Sequence, residues 1–366
     1  MNRILTNRRT FIKTAGMATL GTLAASSAFP HILRKNEKEK LGVALVGLGY
    51  YSTSILAPAL QMTQQVELKG IVTGSPDKIP VWQEKYGIAD KNIYNYENMH
   101  EVANNPDIDI VYIVLPPALH AKYAIIAANA GKHVWCEKPM EISVEKCQSM
   151  IDACNKNKVK LSIGYRLQHE PNTQTIIGYG KKKSYGKIIK LVAEAGYFDG
   201  RSGHWKQIKA LGGGSMYDMG VYPLNAARYA TSEEPIAVTA RHENTRKDIY
   251  HEVDETTIFQ LEFPSGAIAN CKTSLGMSMN TLHVDCAKGW YELVPFQGYS
   301  GIKGQTSKGI ILNATLPNQQ AHQMDDDAMA IKNNTEVIAP GEEGLADIRV
   351  VEAIYRSAAA GARVTI

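Results

Sequence analysis

The apolar run Val43-Ala44-Leu45-Val46, ending on Gly47-Leu48-Gly49, constrains the fold of this chain more than any other segment. Four successive apolar residues without polar alternation read as a strand buried on both faces, as strands of a parallel sheet are. Glycines directly after such a strand permit a tight turn, and the helix start that follows presents N–H donors and a positive dipole end. Further buried runs stand at 66–73, 110–115, 133–136 and 161–164, with helical stretches at 54–62, 79–86, 119–130 and 144–157 between them. Strands alternating with helices of this length predict an α/β, doubly wound parallel sheet.

Residues 41–165 are therefore expected to form an N-terminal Rossmann domain that binds a dinucleotide. The third glycine of the usual G-x-G-x-x-G pattern is replaced by Ser52, so the position at the head of a βα array carries the assignment. After Arg166 the texture changes to longer β-rich runs at 188–197, 236–242, 256–263, 267–274 and 281–285, with Phe263-Pro264-Ser265-Gly266-Ala267 as a hairpin turn. Helical patterns interrupt this region at 214–229 and end it at 344–360. Residues 166–366 are expected to form a C-terminal α+β domain with an open, mostly antiparallel sheet, and Lys181-Lys182-Lys183 a solvated loop. An open sheet face needs covering, which predicts a homodimer or homotetramer.

The N-terminus carries Asn7-Arg8-Arg9-Thr10-Phe11-Ile12-Lys13, a modest apolar run over 15–25, and the small residues Ser26-Ser27-Ala28. This is the layout of a twin-arginine signal peptide over 1–28, followed by a polar arm over 29–40. The apolar run falls short of the ~20 residues of a membrane span, and no later segment could insert stably. The expectation is export by the twin-arginine machinery to the periplasm. Five cysteines have no framework spacing; on one helix Cys147 and Cys154 would stand roughly 10 Å apart, too far for a disulfide. A net charge of +4, no zinc-like Cys/His spacing and no basic–aromatic module argue against metal and nucleic acid.

The end of the second strand bears on the cofactor. An NAD site usually places an acid there to hold the ribose 2′-hydroxyl. This chain has Thr73-Gly74-Ser75-Pro76-Asp77-Lys78, in which Ser75 and Lys78 suit a 2′-phosphate. NADP is therefore favoured over NAD, with Asp77 the residue that could reverse the preference. Trp135-Cys136-Glu137-Lys138-Pro139 follows a later strand and lands on the carboxyl edge of the sheet, where Lys138 can face a nicotinamide. In Gly212-Gly213-Gly214-Ser215-Met216-Tyr217-Asp218-Met219-Gly220-Val221-Tyr222, a helix from Gly214 makes Asp218 and Tyr222 i,i+4 neighbours, and the glycines would let its start approach a ligand closely.

With the glycine turn, these two segments make the chain resemble the Gfo/Idh/MocA oxidoreductase family, over about residues 41–364. Tyr222, where most members have His, is similar to the glucose–fructose oxidoreductase branch. So are Leu115-Pro116 with His120, Cys136 to Met140, Ile163-Gly164-Tyr165-Arg166 and Pro340 to Gly344. Leu167 to Glu170, and the stretch from Trp290 to Gln320 with Tyr291, Phe296 and Tyr299, depart from that pattern. The resemblance implies a cofactor site of Gly47, Leu48, Gly49, Tyr50, Tyr51, Thr73, Ser75, Lys78, Leu115, Pro116, His120, Glu137, Lys138, Arg166 and Trp205. It implies Lys138, Asp218 and Tyr222 as catalytic residues, with Tyr165 and Arg166 lining a sugar pocket and His204 beside them.

The implied chemistry is loss of a proton from an aldose C1 hydroxyl to Tyr222 as a hydride leaves for the nicotinamide. A free tyrosine near pKa 10 is a poor base, and a lysine ammonium within ~4–6 Å lowers that value by about 1–3 units. Lys138 is the candidate cation, and Asp218 would orient the substrate or the lysine. Outside the cytoplasm no NADP pool exists, so the expected reaction oxidises one sugar to a lactone and reduces a second carbonyl on one tightly bound cofactor. Three alternatives stand beside it: a simple sugar or cyclitol dehydrogenase with exchangeable NAD(P), an NAD-dependent glycosidase of the same fold, and a non-catalytic sugar-binding protein.

Overall fold

Strand β1 (Leu41–Val46) sends alternate side chains into two different cores. Val43 and Leu45 pack with Leu56, Ala57 and Trp135; Ala44 and Val46 pack with Val111, Ile113 and Cys136. All four are fully buried, which is why the sequence shows no polar alternation there. The computed structural model of the protein describes residues 38–366; the leader and nearly all of the arm expected from sequence lie outside the described residues. Among the described residues no helix is long and apolar enough to cross a membrane.

The first sheet contains β1, β2 (Val66–Val72), β3 (Ile93–Tyr94), β4 (Ile110–Ile113), β5 (His133–Cys136) and β6 (Leu161–Ile163), in the order β3-β2-β1-β4-β5-β6. Every pair is parallel. Strand order reverses between β1 and β4, and the crevice outside their carboxyl ends is where ligands bind in such sheets. The two-residue β3 is too short to leave a sequence pattern.

The second sheet contains β7 (Ile188–Phe198), β8 (Ala237–Glu243), β9 (Thr256–Glu262), β10 (Ile268–Ser274), β11 (Gly276–Cys286), β12 (Gly289–Leu293), β13 (Gly304–Thr306), β14 (Ile311–Leu312) and β15 (Val364–Thr365). Its order is β14-β13-β12-β11-β7-β10-β9-β8-β15, antiparallel except where β7 lies beside β10. The fold is thus α/β with a parallel Rossmann sheet and a mixed, mostly antiparallel second sheet.

Two helices depart from the sequence reading. Pro171–Lys182 is a helix, so Lys181 and Lys182 close its last turn and do not form a loop. Gly178 and Gly180 weaken its intrinsic propensity, and tertiary contacts compensate. Glu170 caps it, accepting from the Thr173 N–H at 2.7 Å, while Ile176 and Ile177 enter the core. Gln319–Lys332 is also helical, and its Ala321, Met324 and Ala328 cover the Val43/Leu45 face of the Rossmann sheet. Helix Gly341–Ala360 likewise places Leu345 and Ile348 in the core on the opposite face.

Candidate active site

At the glycine turn, Gly47 has φ +89°, and a Cβ there would stand 2.4 Å from the Val114 carbonyl oxygen. That conformation and that approach explain the glycine. Above Gly49 a Cβ would meet nothing within 4 Å, so the turn faces open space. Ser52, in the third-glycine position, is buried and donates its hydroxyl to the Gly47 carbonyl, fixing the turn from within. Lys78 crosses from the second βα loop and donates to the Leu48 carbonyl at 2.8 Å, while Thr73 Oγ1 accepts from the Ser75 N–H at 3.0 Å. Leu48, Thr73, Ser75 and Lys78 therefore flank one turn. Tyr50 is exposed and Asp77 carries its carboxylate in the short turn Pro76–Lys78. These neighbours suit a nucleotide with its phosphates over Gly49.

His120 ties two loops of this edge together. Its Nε2 lies 2.8 Å from the Leu115 carbonyl, and its Nδ1 lies 3.0 Å from the Pro139 and 3.2 Å from the Met140 carbonyl. Burial holds its pKa below the ordinary value. His120 thus anchors Leu115, Pro116 and the Glu137-Lys138-Pro139 loop to one another. Glu137 is buried and accepts from the Tyr112 hydroxyl at 2.6 Å; burial pushes its carboxyl up despite that bond and the nearby Lys138.

Tyr222 stands among cations. The Lys138 ammonium is 4.5 Å from its ring centroid and the Arg166 guanidinium carbon 5.6 Å. Burial alone would raise the phenol's pKa; the charges of Lys138 and Arg166 outweigh it and hold the pKa below the ordinary tyrosine value. Arg166 also lies 4.9 Å from the Tyr299 ring, whose centroid is 6.1 Å from that of Tyr51. Tyr51, Glu137, Lys138, Arg166, Tyr222 and Tyr299 form one group, in which Glu137 and Arg166 are buried, Tyr51, Lys138 and Tyr222 half-buried and Tyr299 exposed.

Asp218 sits differently from the sequence expectation. The predicted single helix over 214–229 is a π-turn, Met216–Gly220, leading into an α-helix, Val221–Thr231. A π-turn bonds i to i+5, and the residue five beyond Asp218 is Pro223, which has no N–H. The Asp218 carbonyl instead accepts from the Lys138 ammonium at 2.7 Å. Its carboxylate turns the other way, taking hydrogen bonds from Lys206 Nζ at 2.7 Å and the Tyr197 hydroxyl at 2.9 Å. Burial would raise its pKa, but Lys206 and Lys138 keep it below the ordinary value. Asp218 and Tyr222 thus share Lys138 through a backbone carbonyl and a ring face.

The triple glycine also serves a different purpose. Gly214 has φ +106°, and a Cβ there would lie 2.3 Å from Asp254 Oδ1, so the close approach is to protein and not to a ligand. Asp254 holds this helix start, accepting from Ser215 Oγ at 2.6 Å and the Met216 N–H at 2.8 Å. A cavity of about 820 Å3 behind the turn, bounded by Ile142, Lys209, Tyr217, Asp254 and Tyr355, contains none of the predicted site residues.

Tyr165 is not brought to Tyr222: its hydroxyl donates to buried Asp347 at 2.7 Å, inside the structural network around Arg228. Trp205 lies beside Lys206, whose Nζ is 5.8 Å from its ring, and so reaches the site only through Lys206 and Asp218. His204 accepts from the Lys206 N–H and contacts Arg201 at 3.2 Å. Sequence reasoning missed Lys206, Tyr197 and Gln319. No local pattern marks them, because each is brought in from a distant strand, turn or helix; the neighbouring Trp205 was the only pointer.

The fold and this edge define an NAD(P)-binding oxidoreductase. Residues 41–165 match the model of the Gfo/Idh/MocA oxidoreductase family with its NAD-binding Rossmann fold, and residues 180–292 match the C-terminal domain of the same family. The chain belongs to the Gfo/Idh/MocA oxidoreductase family. Among solved structures it is similar to aldose-aldose oxidoreductase from Caulobacter crescentus complexed with glycerol: 40% identical, TM-score 0.86, covering 89% of this chain and 100% of that one. D-xylose 1-dehydrogenase (NADP(+)) of Haloarcula marismortui is 27% identical over 333 residues, 86% of this chain and 90% of that protein. D-glucoside 3-dehydrogenase of Escherichia coli is 24% identical over 346 residues, 89% of this chain and 97% of that protein.

Proposed function

We propose that the protein is an exported, NADP-dependent sugar oxidoreductase that oxidises an aldose at C1 to its lactone and reduces a second sugar carbonyl on the same tightly held cofactor. The observation that carries this reading is the Lys138 ammonium 4.5 Å from the Tyr222 ring centroid at the Rossmann carboxyl edge. A 40% identical relative described as an aldose-aldose oxidoreductase supports the substrate class. The absence of an acid directly after β2, with Lys78 reaching the glycine turn, supports NADP. The twin-arginine layout over 1–28 supports export to the periplasm, and the alternating exposed positions along β7 and β8 of the second sheet support a homodimer or homotetramer.

When bound, the nicotinamide supplies the hydride acceptor and donor. Tyr222 takes the C1 hydroxyl proton as the C1 hydride leaves, so the hemiacetal carbon becomes the lactone carbonyl. Lys138 favours the phenolate beforehand. In the second half-reaction Tyr222 returns that proton to the oxygen of the carbonyl being reduced. The Asp218 carboxylate, oriented by Lys206 and Tyr197, accepts from a sugar hydroxyl and fixes the ring.

The test is the purified mature protein. A nicotinamide chromophore should persist through gel filtration, bleach or appear on addition of single sugars, and cycle with a sugar pair without added cofactor. An apoprotein needing added NAD would favour the exchangeable dehydrogenase, and release of an aryl glycoside without net redox the glycosidase. Tyr222→Phe should lower turnover at least ~100-fold while leaving the chromophore bound.

A further inference from the structure

Arg166 is about 2% exposed and, among the described residues, has no carboxylate partner. Its Nη1 donates to the Gly298 carbonyl at 2.7 Å and to the Gln319 side chain, while its Nε is buried without a partner. A guanidinium in such a setting needs a negative charge nearby, because neutral carbonyls replace only part of its lost hydration. The groups that face Tyr222 are Lys138 and Glu137 from the loop after β5, Arg166 from the segment after β6, Tyr299, Tyr51 and Asp218. Glu137 is engaged by Tyr112 and raised by burial, and Asp218 spends its carboxylate on Lys206. Tyr299 is pushed up by burial and by the neighbouring Tyr222 charge, so it stays a neutral phenol.

We infer that Arg166 is a second activating cation for Tyr222: a positioning residue whose missing counter-ion is the Tyr222 phenolate itself. Gly298 and Gln319 aim it, and Lys138 approaches from the other loop, so the phenolate is held by two cations reaching it from separate strand ends. Arg166 acts through the proton affinity of Tyr222, whose ring centroid is 5.6 Å from its guanidinium carbon. This inference rests on the reading of Tyr222 as the base.

The experiment uses the holoenzyme with Arg166→Met, Arg166→Lys and Tyr222→Phe. One readout is the near-ultraviolet phenolate titration, with the Tyr222→Phe spectrum subtracted to isolate Tyr222. The other is the pH dependence of kcat and KM for the aldose half-reaction. Removing one of two cations should move the Tyr222 titration and the acid limb of kcat up together by about 1–2 pH units. At neutral pH that is a fall of about 10- to 100-fold in kcat, and Arg166→Lys should recover most of the shift. Should Arg166→Met fail to fold, Arg166→Gln, which retains polar contacts without the charge, gives the same reading. A titration and limb unchanged from the unmodified enzyme, with the loss confined to KM or cofactor retention, would overturn the inference. Full turnover in Tyr222→Phe would instead overturn the proposed function, so the two failures are distinct.

Discussion

Arg166 and Arg228 are both buried, and their surroundings are opposites. Arg228 pairs with Asp347 at 2.6 Å, Glu234 at 2.7 Å and Glu343 at 3.0 Å, while Tyr165 and Asn225 donate to the Asp347 carboxylate. Arg166 has carbonyl oxygens and two phenol rings. Three carboxylates around one guanidinium make a clasp, joining helix Val221–Thr231 to helix Gly341–Ala360. A guanidinium without a carboxylate holds positive potential in reserve for whichever neighbour can ionise. Burial costs both arginines their hydration; only the second directs the compensation toward a reacting group.

The comparison can be broken most directly at Arg228. Arg228→Met leaves the buried Asp347 and half-buried Glu343 carboxylates, and the exposed Glu234, without their cation and should lower unfolding stability by about 3–5 kcal/mol, read from the urea midpoint. Arg166→Met should lose far less, and an equal loss at the two sites would erase the distinction. Next in size, Lys138→Met should reduce turnover about 100-fold at neutral pH and move the acid limb upward, since it removes a cation facing Tyr222.

A smaller effect concerns pH. Burial and the Glu343 charge push the Asp347 carboxyl up to about 7 against the opposing pull of Arg228. The folded state then binds more protons than the unfolded one between the ordinary carboxylate value near 4 and about 7. Its stability contribution falls as pH rises through that window and levels above it, with a slope of at most about 1.4 kcal/mol per pH unit. Asp347→Asn should flatten the slope in thermal or urea melts collected from pH 4 to 8; an unaltered slope would assign it to other groups. Smallest, Lys206→Met should raise KM for sugar roughly three- to tenfold with a lesser change in kcat, because it releases the Asp218 carboxylate but leaves the Asp218 carbonyl on Lys138. A larger loss in kcat than in KM would place Lys206 in the proton-transfer machinery.

Legibility followed the range of the interactions. Helix Ile79–Tyr86 and strand β5 stand where the residue pattern predicts them, because burial on one or both faces writes a local period. Helix Gln319–Lys332 went unread although Ala321, Met324 and Ala328 carry its apolar stripe: its many polar residues hid a helix whose apolar face closes a sheet nearly 280 positions earlier in the chain. The π-turn at Met216–Gly220 was equally hidden, since Pro223 signals it only once Lys138 is known to stand beneath the Asp218 carbonyl.

By itself the sequence determined the Rossmann sheet and its glycine turn, because motif chemistry and periodicity are local; the meeting of Lys138 with Tyr222 was an expectation carried by the family resemblance. The tertiary structure alone decided that Tyr165 belongs to the Arg228 clasp, that Lys206 holds Asp218, and that Arg166 faces Tyr222 without a carboxylate. Those outcomes depend on which charges end up within a few ångströms after desolvation, and no residue spacing encodes that.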